Sequence, residues 1–244
     1  MMNRTIEQQT EQASPIVDET EIERRLTTFL RSRLGVWPPQ ESVQVVPWPV
    51  RDEPGWDGSS LPLVGIESPL GTVLSYSPTR LPEAADIDPI RLEDELGTAD
   101  AYMTLPQLFG RPDLHFGRGV FRYVDQPADL PEIGEWVPRD DPRLPPWLLP
   151  FNGDVLVAWD ENGQYAAGVG LKKHNEYGHE ISVGTDPAHR GQGLARMLVA
   201  QAAKQILRDG AIPIYLHGDR NAASKRVAEQ SGFPDRGWHI IELR

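Results

Sequence analysis

The stretch His189-Arg190-Gly191-Gln192-Gly193-Leu194-Ala195 sets two glycines one residue apart behind an arginine and runs straight into the helix-prone LARMLVAQAAKQIL. Residue types in this order hold an anion. Successive backbone N–H groups at a helix start, with about half a positive charge from the helix dipole, converge on one spot. The glycines let a ligand come close to the backbone, and Arg190 adds a charge at the rim. What is missing narrows the ligand. No Gly-Lys-Ser/Thr follows, so this is no Walker loop, and Gly191-x-Gly193 lacks the third glycine of a dinucleotide fingerprint. A phosphate or pyrophosphate suits the loop, while for a glycine pair standing alone a plain connecting turn is the competing reading.

The elements that must position this loop are readable on both sides of it. DVLVAW and QYAAGVGL are strand-like, joined by Asn162-Gly163 as a hairpin turn. HEISVGT at 179–185 is a third strand leading into the loop. The helix that follows has Leu194, Leu198, Ala202 and Ile206 on one face and ends at Gly210. IPIYLHG at 212–218 is a further strand, Asn221 caps a helix through about Ser231 that Gly232 closes, and WHIIEL at 238–243 completes the sheet. Further upstream, Asp18 with Glu21 fits a capping box, Ile22, Leu26, Leu30 and Leu34 keep helical spacing, and Gly35 closes that helix. LPLVGI at 61–66 and GTVLSYS at 71–77 read as a hairpin turning around Ser68 to Gly71. IRLEDEL is helical and HFGRGVFRYV at 115–124 extended. The segment WVPRDDPRLPPWLLP is too proline-rich for regular helix or central strand, and its tryptophans favour an ordered loop.

Composition sets the outer limits. The 244 residues are 39% hydrophobic and 25% charged, an ordinary soluble balance. No apolar run approaches the roughly 20 residues of a spanning helix, and MMNRTIEQQTEQ does not read as a signal peptide, so a cytoplasmic protein is expected. With no cysteine, thiolate metal sites and cysteine nucleophiles are excluded together. The 36 acidic against 24 basic residues give a net charge of −12, which disfavours nucleic acid and anionic membrane and favours a cationic partner.

With its flanking elements the loop resembles the signature of the GNAT superfamily of acyl-CoA-dependent N-acetyltransferases: Arg or Gln, two residues, Gly, one residue, then Gly or Ala. Arg190, Gly193 and Ala195 match in register, TDPAHRGQGLA resembles the family's strand-to-loop passage, and NAASKRVAEQSGF at 221–233 resembles its second cofactor-side helix. The resemblance covers about residues 120–244. It implies an α+β fold with a mixed, mostly antiparallel central sheet flanked by helices. The expected organisation is a disordered tail at 1–16, an α+β region at 17–118, either an extension or a degenerate copy of the same fold, and an acetyltransferase domain at 119–244.

The resemblance further implies direct transfer of an acetyl group from acetyl-CoA, the cosubstrate, to a primary amine. The pyrophosphate would rest on Arg190, Gly191, Gln192, Gly193, Leu194, Ala195 and Arg196. The pantetheine would pair with Val183, Gly184 and Thr185, with a bulge at Gly184, and Asn221 and Ser224 would contact the cofactor. An amine with a pKa of about 10.4 must shed a proton before attack. Glu180 is the first candidate base, with Glu176 and His179 behind it and His217 a weaker candidate whose structural role is the commoner one. Strand alternation puts Glu180, Ser182 and Gly184 on one face, opposite His179, Ile181 and Val183. The family's general-acid tyrosine falls on Ala228, which leaves Ser224, a water or no acid at all. A metal reading of His174, Glu176 and His179 is rejected on spacing. The acceptor is expected to be cationic, a polyamine, an aminoglycoside or a protein amine, and the protein a monomer or homodimer. A noncatalytic acyl-CoA-binding module and an interaction protein are the competing classes.

Overall fold

A computed structural model describes residues 20–244, so the expected tail at 1–16 and Asp18 lie outside the described residues. The chain runs α1 (Glu21–Leu34), β1 (Val43–Pro47), β2 (Leu63–Ser68), β3 (Gly71–Tyr76), α2 (Pro89–Leu96), α3 (Ala101–Leu108), β4 (Phe116–Tyr123), β5 (Glu135–Val137), β6 (Val155–Trp159), β7 (Tyr165–Asn175), β8 (Gly178–Thr185), α4 (Leu194–Arg208), β9 (Ile212–His217), α5 (Ala222–Gln230) and β10 (His239–Leu243). All ten strands form one sheet in the order β1-β3-β2-β10-β4-β9-β8-β7-β6-β5. The pairs β1·β3 and β8·β9 are parallel and the rest antiparallel.

The C-terminal strand joins the two halves of the molecule. β10 lies between β2 and β4, pairing Ile241 with Gly65 on one side and Arg118 on the other. Its alternation sends Ile241 and Leu243 into a core with Leu63, Leu74 and Phe116, and turns Ile240 and Glu242 to the opposite face. That opposite face, continued over β4, β9 and β8, carries the site described below.

Two local expectations change and a third holds. The first helix is capped by Thr20, whose hydroxyl accepts from the Glu23 N–H while the Glu23 carboxylate accepts from the Thr20 N–H. The reciprocal pair therefore starts two residues later than Asp18 and Glu21. The β6–β7 connection is not a two-residue Asn-Gly turn but a longer loop tied by Asp160, which accepts from the N–H groups of Asn162 and Gln164, both at 2.8 Å. Gly163 takes the left-handed conformation within it, at φ +72°. The proline-rich segment is ordered: Glu135–Val137 is the edge strand β5, and Leu144, Leu148 and Phe151 bury themselves against Val155 and Val157.

Candidate active site

β8 and β9 pair only through Ile181↔Tyr215, after which β8 continues to Thr185 without its neighbour. The Ile212 N–H donates to the Tyr177 carbonyl at 2.8 Å, and the Asp186 N–H to the Ala166 carbonyl at 2.9 Å. Odd-numbered backbone groups of β8 therefore face β9 and even-numbered ones face β7. It follows that the N–H and C=O of Val183 look into the gap where the strands part. Gly184 stays in regular register opposite Gly168, and the irregularity between β7 and β8 falls at Lys173/Asn175. The expected bulge at Gly184 is thus absent. Its lack of a side chain has another cause, because a Cβ there would sit 2.7 Å from the Trp147 ring, which packs onto the strand.

The glycine loop follows β8. Gly191 and Gly193 both take left-handed backbone, at φ +82° and +79°. Gly193 is the N-cap of α4 and has no side chain to bond the first turn, no acidic residue sits in that turn, and the first bond of the helix ladder comes from the Met197 N–H. Its leading N–H groups therefore point outward as free donors. Arg196 lies over Gly193, and its buried Nε has no hydrogen-bond partner among the described residues. Arg190, Gly191 and Gln192 are exposed, and Leu194 and Ala195 half-buried. The free N–H groups and the orphaned guanidinium nitrogen fit a phosphate group.

On the other face of the sheet lies a cleft of about 1090 Å³ that reaches from Ser182, Val183, Tyr215 and Ser224 to the N-terminal half at Arg51 and Arg80. Glu180 is buried in it, with one oxygen bonded to the Lys172 ammonium and the other 3.1 Å from His174 Nε2. These partners outweigh burial and hold its carboxyl below the usual range. Burial pushes the His174 imidazole down as well. A second carboxylate, Glu242 of β10, faces the same cleft, and its nearest cation is Arg244 at 3.8 Å. Burial raises its carboxyl above the usual range, and the charge of Glu180 raises it further. Sequence reasoning missed Glu242. The available signal was an acidic residue between Ile241 and Leu243 in an otherwise apolar strand.

The remaining candidates divide. His217 lines the cleft, yet both its ring nitrogens are engaged: Nε2 accepts from Arg122 Nε at 3.0 Å, and Nδ1 bonds the Gly218 carbonyl at 3.0 Å. His179 projects to the face opposite Glu180, where burial lowers it to about 4, and Glu176 sits in the β7–β8 turn; neither lines the cleft. His174 belongs to β7 rather than to a turn. Asn221 caps α5, accepting from the Ser224 N–H at 3.0 Å. The Ser224 hydroxyl in turn lies 2.9 Å from that of Tyr215, whose phenol burial pushes up. The Tyr215 hydroxyl thus meets α5 at Ser224, one turn before the buried Ala228, the position where the resemblance places a tyrosine.

Residues 122–233 match the acetyltransferase (GNAT) family. The family uses acetyl-CoA. Among solved structures, the chain is similar to a GNAT-family acetyltransferase from Novosphingobium aromaticivorans, with 22% identity over 53% of this chain and 64% of that one, at a TM-score of 0.45. It is also similar to a GCN5-related N-acetyltransferase from Kribbella flavida, with 17% identity over 69% and 76%, at 0.44. An acetyltransferase from Salmonella typhimurium, solved with its cofactor acetyl-CoA, shares 26% identity over 37% and 61%, at 0.30. The chain spans less than two thirds of the length of the Novosphingobium protein. No curated protein matches the sequence. No helix among the described residues is long and apolar enough to cross a membrane.

Proposed function

We propose that the protein is an N-acetyltransferase that binds acetyl-CoA and transfers its acetyl group directly to a primary amine of a small molecule or peptide. One observation carries this reading: the uncapped start of α4 and the parting of β8 from β9 adjoin each other along the chain. A ligand with a pyrophosphate on the amides of 190–196 can lay a linear arm along the free edge of β8, within reach of Val183. The cosubstrate supplies an activated thioester.

The residues around it have separable tasks. The Val183 N–H polarises the thioester carbonyl and stabilises the oxyanion, an effect of about 2.7 to 4 kcal/mol by comparison with other oxyanion donors. The two carboxylates of the cleft have environments that push their proton affinities apart, which is how acid–base pairs divide roles. Glu180, with both oxygens bonded, stays ionised and fixes Lys172 and His174. Glu242 takes the proton of the incoming ammonium, because its raised carboxyl and single distant partner leave it free to do so. As the amine forms its bond to the carbonyl carbon, the carbon–sulfur bond breaks. The departing thiolate takes a proton from Tyr215, backed by Ser224, and the second proton of the acylated nitrogen passes to the tyrosinate, which restores the phenol. At an unperturbed pKa of about 8.5 it is already a tolerable leaving group.

Calorimetric titration with acetyl-CoA, followed by assay of thiol release against a panel of primary amines, tests the reading. Saturable binding and amine-dependent thiol release are expected. Binding with no turnover on any amine would leave an acyl-CoA-binding module, and no binding by folded protein refutes the reading outright.

A further inference from the structure

The net charge of −12 favours a cationic acceptor, yet the cleft is lined by six arginines and Lys172 against four carboxylates. Four of the arginines form a chain in which three guanidiniums are each held by the backbone carbonyl of the next arginine. Arg111 Nη1 donates to the Arg80 carbonyl at 3.4 Å, Arg80 Nη2 to the Arg51 carbonyl, and Arg51 Nη2 to the Arg33 carbonyl at 3.1 Å. Carbonyls orient these groups without neutralising them. Carboxylates compensate only the outer members: Asp113 chelates Arg111, and Asp52 approaches Arg80 at 3.7 Å.

The inner end is bare. Arg51 is 4% exposed, and its Nε has no hydrogen-bond partner among the described residues. Neither Arg51 nor Arg33 has a carboxylate within ion-pairing distance among those residues, and Arg33 directs no hydrogen bond to any of them. Burial, with Arg33 and Arg80 close by, lowers the Arg51 guanidinium to about 9. Glu242 acts on both guanidiniums and Glu180 on Arg33 without pairing with either, and a buried charge short of a bonded counter-ion is costly to a fold, a cost that a ligand of opposite charge lowers.

We infer that Arg51 and Arg33 bind an anionic oxyacid group of the acceptor, so that the amine which receives the acetyl group also carries a carboxylate or a phosphate. The inference rests on the transferase reading above and names its substrate class. One cleft is lined by both sets of residues: Arg51 and Arg33 would take the anion, and Glu242 and Val183 serve the amine and the thioester. Arg33 also lines the adjoining recess with Glu180 and Glu242, so it stands beside the carboxylates that handle the amine. A guanidinium pair suits an oxyacid because it offers parallel N–H donors at a fixed spacing.

The test titrates succinate and inorganic phosphate separately into the protein, free of CoA and saturated with it, for wild type, Arg51→Gln and Arg33→Gln. Saturable binding of one of the two anions is expected, and which one binds distinguishes carboxylate from phosphate. Each variant should weaken it by about 10- to 100-fold, the range of one charge-assisted hydrogen bond. Arg33 is half-buried and unbonded, so its variant keeps the test decisive if Arg51→Gln does not fold. In turnover, β-alanine or an aminoalkyl phosphate should outperform β-alaninamide or the matching amino alcohol, through KM, and Arg33→Gln should abolish the preference. Equal use of charged and neutral amines, or anion binding unchanged in both variants, overturns the proposal while leaving the transferase reading intact. Anion binding that CoA abolishes assigns the arginines to the cofactor's own phosphates and also overturns it. Failure to bind acetyl-CoA at all marks failure of the transferase reading instead.

Discussion

Replacing Gly193 with alanine separates the glycine loop's role in the fold from its role in binding. Gly193 holds φ +79°, where an L-residue costs about 1–2 kcal/mol. The added Cβ would stand 2.9 Å from Arg196 Nε, the end of a flexible side chain that can swing away. The backbone penalty therefore dominates and predicts a fall in Tm of about 2–8 °C for a chain of this size. Gly191, at φ +82°, and Gly163, at φ +72°, would each gain a Cβ with nothing within 4 Å, so their alanine variants bear a similar penalty without a clash. Gly163 lies in the β6–β7 loop and serves as the control. If phosphate oxygens rest on the amides of 190–196, tilting one N–H away removes a hydrogen bond to a charged group, about 1.5–3 kcal/mol. Acetyl-CoA affinity should then drop about 10- to 150-fold in Gly191→Ala and Gly193→Ala, and not in Gly163→Ala. Calorimetry on the three variants, with Tm measured in parallel, decides the matter. Equal Tm losses with wild-type affinity in all three would refute a phosphate site at this loop.

Glu242→Gln tests the proton acceptor. Because the folded carboxyl is raised, the rate should fall as acid protonates it, and the glutamine variant should lose that limb of the pH profile along with most of its turnover. The same shift sets a stability sign: a carboxyl raised on folding contributes stability that is fully present below its unfolded value and is lost as pH rises through the folded value. Glu242→Gln should therefore raise Tm at neutral pH relative to wild type and leave it near wild type in acid; an unchanged acidic limb would remove Glu242 as the base. Tyr215→Phe should lower kcat by about 10²-fold while the KM for acetyl-CoA stays constant, whereas an unchanged kcat would assign the thiolate's proton to solvent. Arg122→Leu strands the His217 and Phe233 acceptors and should destabilise the fold by about 3–5 kcal/mol in denaturant unfolding, where a loss below about 1 kcal/mol would show that the buried network is replaceable.

The cofactor side of the site was legible because its determinants are local. Left-handed glycines, an uncapped helix start and the strand before it all fall within some twenty consecutive residues, and period-2 and period-3.6 patterns locate them without tertiary information. Even there the sequence misassigned Gly184, since only the packing of Trp147 from the proline-rich loop shows why a side chain is forbidden. Charge within the cleft was not legible, because it depends on which faces meet. The −12 total is spread over an exposed surface, while Arg33, Arg51, Arg80 and Arg111 come from four separate segments that the sheet folds onto one side.

Glu242 shows the same limit from the other direction. In WHIIEL it looks like the solvent side of an edge strand, and that reading holds for any strand left at the end of a sheet. Here β10 is threaded between β2 and β4, so both of its edges are paired, and its Glu242 face looks into the cleft that also holds Glu180. The raised proton affinity of Glu242 therefore reflects the segments that meet over this face, Arg33 and Arg51 of the N-terminal half among them, with Glu180. The strand that ties the N-terminal half to the acetyltransferase domain is thus also the one that supplies the proposed base, and the arginines opposite it come from that same N-terminal half. On this account the N-terminal residues determine which amine is accepted, while the loop at 190–196 determines only that the donor is a CoA thioester.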